Sequence, residues 1–229
     1  MASPVKVSVV IPAHNESERI SDTIKGIQRI PEVSEIIVVD DASTDETANL
    51  AEQSGATVIR LTPNMGKGGA LNEGITKVTG DIVALLDGDL GSSSSEARAL
   101  IIPILNNSAD MTIAQFPRAR KKGGFGLVKN LARAGIRYFT GLESNAPLSG
   151  QRAMTRQVLE TVTPFASGYG VEVALTIKVA RAGFRVLEVP TQMSHSETGR
   201  DLKGFMHRGK QFVHVARVLT GCLIKYGLK

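Results

Sequence analysis

The chain has 229 residues, of which 42% are hydrophobic and 21% are charged, as is typical of a soluble globular protein. A single cysteine excludes a disulfide framework and a four-cysteine zinc site, and it fits a reducing compartment. The net charge of +5, the three tyrosines and the lack of tryptophan argue against nucleic-acid binding and favour anionic small molecules or an anionic membrane surface as partners.

The start of the chain and its apolar runs predict a cytoplasmic protein. No signal peptide is visible, because Met1–Lys6 leads directly into a strand-like segment. No apolar run approaches the roughly 18 residues that a membrane-spanning helix needs. Because no repeat or long linker interrupts the sequence, residues 1–229 are interpreted as one domain.

Short apolar runs rich in β-branched residues alternate with helical patterns over the first part of the chain. The predicted strands are residues 7–11, 35–40, 57–61 and 82–86. The predicted helices are residues 15–30, 43–54 and 66–79. The first two helices begin with capping-box spacings, Asn15 with Glu18 and Ser43 with Glu46. This alternation predicts βαβ units and therefore an α/β fold with a mostly parallel, doubly wound sheet.

The pattern becomes looser after residue 90. The helices predicted there are residues 95–106, 127–142, 171–182 and 204–226, and the predicted strands are residues 111–115 and 184–189. The last helix is amphipathic. We interpret residues 5–115, approximately, as the half that binds a generic group and residues 116–229 as the half that binds a specific one.

Asp87 and Asp89 follow the strand predicted at residues 82–86, whose five consecutive apolar residues indicate a buried strand. Residues two apart on an extended chain point the same way, so both carboxylates can face one object. Ligands bind at the carboxyl edge of such sheets, and hard cations prefer carboxylate oxygen. The pair therefore predicts a Mg²⁺ or Mn²⁺ site, with a helix cap at Asp89 and a solvated Asp87 as the alternative.

The three other strands of this part also end in polar or glycine-rich loops, which would gather along the same edge of the sheet. These loops are residues 12–16, 40–45 and 64–71. The third fits neither a Walker A loop nor a dinucleotide-binding loop, because no Gly-Lys-Ser/Thr occurs and Leu71 replaces the last glycine. Its backbone N–H groups beside Lys67 still suit a pyrophosphate, and a solvated Lys67 is the alternative.

Four motifs occur in order within residues 5–90: Val-Ile-Pro-Ala-His-Asn-Glu, Val-Val-Asp-Asp-Ala-Ser-Thr-Asp, Asn-Met-Gly-Lys-Gly-Gly-Ala-Leu-Asn-Glu-Gly and Leu-Asp-Gly-Asp-Leu. This order resembles family 2 glycosyltransferases of the GT-A fold, especially dolichyl- or polyprenyl-phosphate sugar synthases. Ser-Gly-Gln-Arg-Ala at residues 149–153 resembles the Ser-Gly-Phe-Arg-Ala segment of those synthases. Gly-Tyr-Gly-Val-Glu-Val at residues 168–173 is similar to glucosyl-phosphoglycerate synthases, which are retaining enzymes on the same fold. The Gln-x-x-Arg-Trp signature of processive synthases is absent, which argues against polymer synthesis.

The resemblance implies a nucleotide-sugar site in the first half of the chain. The residues that it implies in nucleotide or donor binding are Pro12, Ala13, Asn15, Glu16, Asp41, Gly66, Lys67, Asp87 and Gly88. Asp41 would accept a hydrogen bond from the base, Lys67 would help to neutralise the diphosphate, and Asp87 would face the ribose or the sugar. Asp89 would bind the metal ion, a Lewis acid that neutralises charge on the departing nucleoside diphosphate.

The second half is expected to contribute a metal ligand, a catalytic acid and cations for an acceptor. His195 is the candidate metal ligand, with a surface-loop histidine as the alternative. Glu172, which with Asp89 makes up the implied catalytic pair, would bond sugar or acceptor hydroxyls or act as a general base; stabilisation of a helix N-terminus is the alternative. The candidate clamps for an anionic acceptor are Arg118, Lys121, Arg152 and Arg200. Solvated surface charges are the alternative for these cations.

Together these features predict transfer of a sugar from a nucleotide donor, UDP first and GDP second, to a lipid phosphate or a small phosphorylated acceptor. Inversion is favoured by the family resemblance, and retention is the alternative. Two other classes are a nucleotidyltransferase, whose Gly-x-Gly-x-Arg loop is missing, and a non-catalytic nucleotide-sugar-binding module. The final helix would pack on the domain or contact the inner face of a membrane peripherally, and a homodimer is compatible with the sequence.

Overall fold

The computed structural model describes residues 5–117, 126–166, 170–194 and 202–227, with the side chains of residues 202–208 and 210 left out. The strands are β1 (Val7–Ala13), β2 (Val33–Asp40), β3 (Thr57–Arg60), β4 (Ile82–Leu85), β5 (Met111–Gln115), β6 (Arg152–Thr155) and β7 (Val186–Pro190). The helices are α1 (Ile20–Ile27), α2 (Thr47–Gln53), α3 (Gly66–Ile75), α4 (Arg98–Leu105), α5 (Leu127–Thr140), α6 (Arg156–Val162), α7 (Val171–Arg181) and α8 (Leu202–Tyr226). A 3-10 helix, Gly91–Ala97, precedes α4.

One sheet contains all seven of these strands in the order β3-β2-β1-β4-β6-β5-β7. The first four strands pair in parallel, and β5 pairs in parallel with β7. Strand β6 lies between β4 and β5 and runs antiparallel to both. The predicted α/β fold with a mostly parallel sheet is therefore confirmed, while β6 and α6 were not predicted.

The sheet buries both of its faces, which explains why its strands are continuous apolar runs rather than alternating ones. Side chains of α1 and α4 cover one face, and those of α3, α6 and α7 cover the other. Each buried Val, Leu or Ile contributes about 1.5–3 kcal/mol relative to an exposed one. Helix α3 packs very closely, because a Cβ atom at Gly74 would lie 2.5 Å from Cγ1 of Val10. This close packing holds the C-terminal part of α3 against β1.

Helix α8 lies on a third apolar cluster, which it shares with α5 and α7. Val215 is fully buried there, and Val218 and Leu219 pack against the cluster. The predicted packing of this helix on the domain is thus observed. Within the described residues, none of the helices combines the length and the apolar character that crossing a bilayer requires. Contact with a membrane surface stays a prediction.

The two predicted capping boxes are wrong. Helix α1 begins after Arg19 and α2 begins after Glu46, and neither residue makes a side-chain cap hydrogen bond. Asn15 and Ser43 instead lie in the loops before these helices and bond to each other's loop, as described below. The polar groups that mimic a cap pattern therefore connect two loops.

Candidate active site

The candidate site lies at the edge of the sheet where β1, β2 and β4 end and β6 begins. Parallel strands bring their carboxyl ends to one edge. Because β6 is antiparallel to β4, its first residue, Arg152, pairs with Leu85 at the end of β4. The segment before β6 therefore arrives at the same edge as the loops after the parallel strands. The N-terminal ends of α3 and α7 also lie here.

The loops after β1 and β2 are joined by hydrogen bonds. Asn15 has a left-handed backbone conformation, with φ of 58°, which asparagine tolerates better than most residues. Its backbone N–H donates to Oγ of Ser43 at 2.9 Å, and its Oδ1 accepts from the N–H of Thr44 at 2.8 Å. The N–H of Glu16 donates to Oγ1 of Thr47 at 2.7 Å. These bonds fix the backbone conformation of Asn15 and Glu16, two of the predicted nucleotide-binding residues. The other two residues of this loop, Pro12 and Ala13, lie at the end of β1.

Asp41 connects the loop after β2 to the glycine-rich loop before α3. Its side chain is buried, and Oδ1 accepts from the backbone N–H of Met65 at 2.6 Å. Its carbonyl oxygen accepts from Nδ2 of Asn64 at 2.9 Å and lies 2.8 Å from Nδ1 of His14. Asp41 thus shapes the start of α3, where Gly66 has a φ of 71°. Its predicted contact with the base stays a prediction.

Lys67, at the start of α3, forms ion pairs with two acids of the predicted site. Its Nζ lies 2.7 Å from Oδ1 of Asp87 and 3.2 Å from Oε1 of Glu172. Burial alone would lower the pKa of Lys67, but the two carboxylates outweigh burial and raise it. The ammonium group therefore stays charged between the two acids. Lys67 is thus paired with two acids rather than with solvent alone, and Glu172, in the first turn of α7, lies beside Asp87 in this cluster.

Gln151 also binds Asp87, a contact that was not predicted from the sequence. Its Oε1 accepts from the backbone N–H of Asp87 at 2.8 Å, and its Nε2 donates to Oδ2 of Asp87 at 2.6 Å. The neighbouring Gly150 leaves room for the ion pair, because a Cβ atom there would collide with Nζ of Lys67 and lie 3.2 Å from Oδ2 of Asp87. The only signal in the sequence was the glutamine in Ser-Gly-Gln-Arg-Ala, where the resembling segment has phenylalanine.

Carboxylates are concentrated around Gly88, at the turn between the two aspartates. A Cβ atom at Gly88 would lie 3.3 Å from Cγ of Glu16, so the Glu16 side chain passes directly over this turn. Burial, followed by the charges of Asp89 and Asp87, raises the pKa of Glu16 to about 7. Such an accumulation of oxygen ligands and negative charge fits a hard divalent cation.

Protein side chains alone do not enclose this cation position. Within the described ranges, no three His, Cys, Asp or Glu side chains are grouped so as to hold a metal ion. This arrangement suits Mg²⁺ or Mn²⁺, since these ions are often held by one or two carboxylates together with substrate phosphates. The residues present therefore fit a cation that arrives with a phosphorylated ligand.

Arg152 lies beneath the site rather than in it. It is only 1% exposed, its Nε donates to the carbonyl of Ser149 at 3.0 Å, and its Nη1 donates to Oγ1 of Thr176 at 2.9 Å. Burial lowers its pKa to about 10, an effect that the charges of Glu172 and Glu188 oppose. This placement does not support the predicted contact with an acceptor. Arg152 instead braces the segment before β6 against α7.

Glu188, on β7, shapes the segment that leads to Gln151, and this role was not predicted from the sequence either. Its carboxylate accepts from Oγ of Ser144 at 2.5 Å, from the N–H groups of Asn145 and Ala146 at 2.9–3.1 Å, and from Nε2 of Gln115 at 2.7 Å. Burial alone would raise the pKa of Glu188, but these hydrogen bonds outweigh it and lower the pKa. Glu188 is therefore favoured in its ionised form, and its carboxylate holds this loop against β7.

Four predicted site residues lie outside the described part of the chain. These are Arg118, Lys121, His195 and Arg200. Their roles as acceptor clamps, and as the second metal ligand in the case of His195, stay predictions.

Comparison with known proteins gives consistent matches. The sequence model of the family described as Glycosyl transferase family 2 matches residues 8–173. The chain is 29% identical over 209 residues to glycosyltransferase AglJ of Haloferax volcanii, covering 88% of this chain and 67% of AglJ. It is 35% identical over 191 residues to glucosyl-3-phosphoglycerate synthase of Mycolicibacterium smegmatis, covering 75% of this chain. The match spans 63% of that synthase, slightly under two thirds of its length.

Solved structures of glucosyl-3-phosphoglycerate synthase from Mycobacterium tuberculosis have the same fold. The complex with Mn²⁺, UDP and phosphoglyceric acid has a TM-score of 0.80 and 28% identity, covering 98% of this chain and 80% of that one. The complex with Mn²⁺, UDP-glucose and glycerol 3-phosphate has a TM-score of 0.76 and 29% identity, covering 98% and 81%. A further complex of that synthase contains Mg²⁺ and UDP.

Proposed function

The chain belongs to glycosyl transferase family 2 and has the GT-A fold, and on this premise we propose that it transfers a sugar from UDP to a phosphorylated acceptor, assisted by Mg²⁺ or Mn²⁺. The observation that carries the proposal is the cluster of Lys67, Asp87, Glu172 and Gln151 beside the carboxylates of Asp89 and Glu16. A nucleotidyltransferase remains without support, because its phosphate loop is missing after β1 and the family match is to glycosyltransferases.

Asp89 is the proposed metal ligand. The resemblance to family 2 glycosyltransferases assigns the metal to this aspartate, and its charge is the first carboxylate charge, after burial, that raises the pKa of Glu16. The side chain of Glu16 lies close to Gly88, at the turn between the two aspartates. A bound Mg²⁺ or Mn²⁺ would act as a Lewis acid on the departing nucleoside diphosphate.

Lys67, Asp87 and Glu172 have complementary roles in this proposal. Lys67 places a permanent positive charge at the N-terminus of α3, where exposed N–H groups also favour a diphosphate. Asp87 and Glu172 present carboxylate oxygens that accept hydrogen bonds from sugar hydroxyls. If the attacking group is a hydroxyl, Glu172 is the proposed general base; a phosphate nucleophile needs none, because it is already ionised.

UDP is the proposed donor nucleotide, with GDP as the alternative. The proposal is supported by the UDP and UDP-glucose complexes of the mycobacterial synthase and by the matching loops after β1, β2 and β4. A small phosphorylated acceptor is proposed before a lipid phosphate, since the same synthase was solved with phosphoglyceric acid and with glycerol 3-phosphate. Inversion of the anomeric centre is the proposed stereochemistry. Retention is the alternative, because residues 168–173 resemble a segment of the retaining glucosyl-phosphoglycerate synthases.

The test is release of the nucleotide from a panel of UDP- and GDP-sugars with Mn²⁺, with Mg²⁺ and with EDTA. We expect metal-dependent release of UDP, and a decrease on the order of 10²- to 10³-fold in Asp89→Asn, since one stabiliser of the departing charge is removed. Asp22→Asn, on the exposed side of α1, is the matched control and should behave as wild type. Metal-independent release, or an active Asp89→Asn, would contradict the proposal.

The acceptor is then identified with the active donor. Phosphoglycerate and glycerol 3-phosphate are compared with a polyprenyl phosphate in detergent, and the anomeric configuration of the product is read by NMR. A product from the small acceptors alone supports the order proposed here. A product from the lipid phosphate alone reverses it and revives the predicted membrane contact.

A further inference from the structure

We propose that Gln151 is a positioning residue that orients Asp87 toward the donor and keeps it away from the metal ion. The inference rests on the proposed function and adds to it a residue on the segment before β6. It is carried by two hydrogen bonds, of 2.8 Å and 2.6 Å, between one amide group and one aspartate.

The position of Gln151 follows from the topology of the sheet. Antiparallel pairing of β6 with β4 places the residue before Arg152 next to the residues that follow Leu85. The backbone carbonyl of Gln151 also accepts from the N–H of Ala114 at 2.9 Å, which attaches it to β5. The residue is only 2% exposed. Its side chain therefore has a rigid base and is enclosed at the end of the sheet.

An amide is the side-chain group that satisfies this position. The backbone N–H of Asp87 needs an acceptor, and the carboxylate of the same residue needs a donor. Glutamine supplies both, an ionised glutamate supplies only the acceptor, and methionine, which has a similar shape, lacks both strong groups. Because Gln151 holds the backbone and the side chain of Asp87 at once, it fixes the orientation of the carboxylate relative to β4.

The two carboxylate oxygens of Asp87 are bound by two different residues. Lys67 donates to Oδ1, while Gln151 donates to Oδ2. Gly150 allows the backbone to lie directly against this pair. Removal of the Gln151 amide would weaken the hold on Oδ2, and the carboxylate, two residues from Asp89, could then rotate toward a cation while Oδ1 keeps its contact with Lys67. The amide therefore separates the two aspartates into a donor-facing group and a metal ligand.

The test compares Gln151→Met and Gln151→Glu with wild type and with Gln157→Met, an exposed glutamine on α6 that serves as the matched control. Binding of Mn²⁺ alone is titrated by the EPR signal of the free ion. Release of UDP from the active UDP-sugar gives kcat and KM. Thermal unfolding reports whether each variant is folded. If one of them does not fold, Gln151→Asn, which keeps the amide on a shorter side chain, is tested in its place.

We expect Gln151→Met to bind Mn²⁺ about 3- to 10-fold more tightly, while its kcat falls about 10- to 100-fold, the range seen when supporting groups around a metal site are removed. The KM for the donor should stay within about twofold. Gln151→Glu should lose more activity than Gln151→Met, because its carboxylate repels Asp87 instead of donating to it. A purely structural role would lower stability and affect both variants equally, with no gain in Mn²⁺ affinity.

Wild-type values of kcat and Mn²⁺ affinity in Gln151→Met would overturn the role of Gln151 and leave the proposed function intact. Weaker Mn²⁺ binding together with lower thermal stability would also overturn it. A wild-type protein that neither binds Mn²⁺ nor releases a nucleotide would overturn the proposed function, and the role of Gln151 with it.

Discussion

The two halves of the candidate site are held together in different ways. In the first half, the loops after β1 and β2 bond to each other across 28 to 31 residues of sequence. In the second half, Gln151 reaches Asp87 across 64 residues, and Glu188 holds Ser144 across 44 residues. The first half is thus shaped by short-range pairing of adjacent parallel units. The second half depends on contacts between segments that are further apart in the sequence, which β6 and β7 bring to the site.

The edge that is proposed to bind the metal and the nucleotide is built from consecutive βα units, whereas the Gln151 amide that orients one of its acids comes from the other half. Lys67 is where the halves meet, since it pairs with Asp87 of one and Glu172 of the other. Breaking this contact should therefore have the largest effect.

Replacing Lys67 with methionine leaves Asp87 and Glu172 without their shared cation and removes a positive charge from the diphosphate site. We expect UDP release from the active donor to slow on the order of 10²- to 10³-fold. Stopped-time assays at saturating Mn²⁺ measure this change. Lys77→Met, at an exposed position just after α3, is the control. If Lys67→Met kept wild-type activity, the two halves would not be coupled through this residue.

Glu188 tests the second half alone. In Glu188→Ala the N–H groups of Asn145 and Ala146 lose their acceptor, so we expect unfolding to become easier by about 1–3 kcal/mol. Binding of UDP with Mn²⁺, measured by calorimetry, should change less than twofold, because the loops after β1 and β2 are held by hydrogen bonds to each other. Tight coupling of UDP affinity to this mutation would remove the distinction between the halves.

The same residue predicts a pH dependence of stability. The pKa of Glu188 is lowered below its ordinary value of about 4.3, because hydrogen bonds outweigh the effect of burial. A lowered pKa stabilises the folded protein at pH values above the unfolded pKa, and this contribution is lost as the pH falls through the folded pKa. The difference in unfolding free energy between wild type and Glu188→Gln should therefore be constant near pH 7 and narrow below about pH 4. Denaturant titrations from pH 3 to 7 measure it.

The smallest expected effect concerns Asn15 in the first half. Asn15→Gly keeps the left-handed conformation and loses the bonds of the Asn15 side chain to the N–H and hydroxyl of Thr44 and to His14, so it should cost about 0.5–1.5 kcal/mol. Asn15→Ala adds the strain of a Cβ atom at positive φ and should cost about 1–2 kcal/mol more. Thermal unfolding of the pair separates strain from bonding. Equal stabilities of the two variants would show that the conformation of this loop is not under strain.

Much of the first half was predictable because its parallel βα units have a clear sequence pattern, in which apolar strands alternate with helices. A buried strand is an apolar run, and its polar end marks the site, as Asp87 and Asp89 illustrate. The predicted starts of α1 and α2 were wrong because they, too, were inferred from a local sequence pattern. Asn15 and Ser43 have the spacing of helix caps, but their polar groups bond between the two loops, and only the folded chain shows which partner each oxygen takes.

The second half could not be predicted to the same extent. Strand β6 has only four residues and begins with a buried arginine, so neither its composition nor its pattern indicates a strand. Its strand character comes from its place between β4 and β5. Since β6 was missed, Gln151 could not be placed next to Asp87, and Arg152 was assigned to the acceptor instead of the core.

The order of the strands also has a consequence during synthesis of the chain. Strands β3, β2, β1 and β4 can pair as soon as the residues up to 85 have emerged, because all four are neighbours in the sheet. Glu188, on the last strand, emerges about a hundred residues later. The loops proposed to bind the nucleotide can therefore form well before the residue that shapes the loop leading to Gln151 is synthesised. On the proposed function, we expect affinity for a nucleotide to develop earlier in translation than the ordered geometry of the proposed catalytic acids.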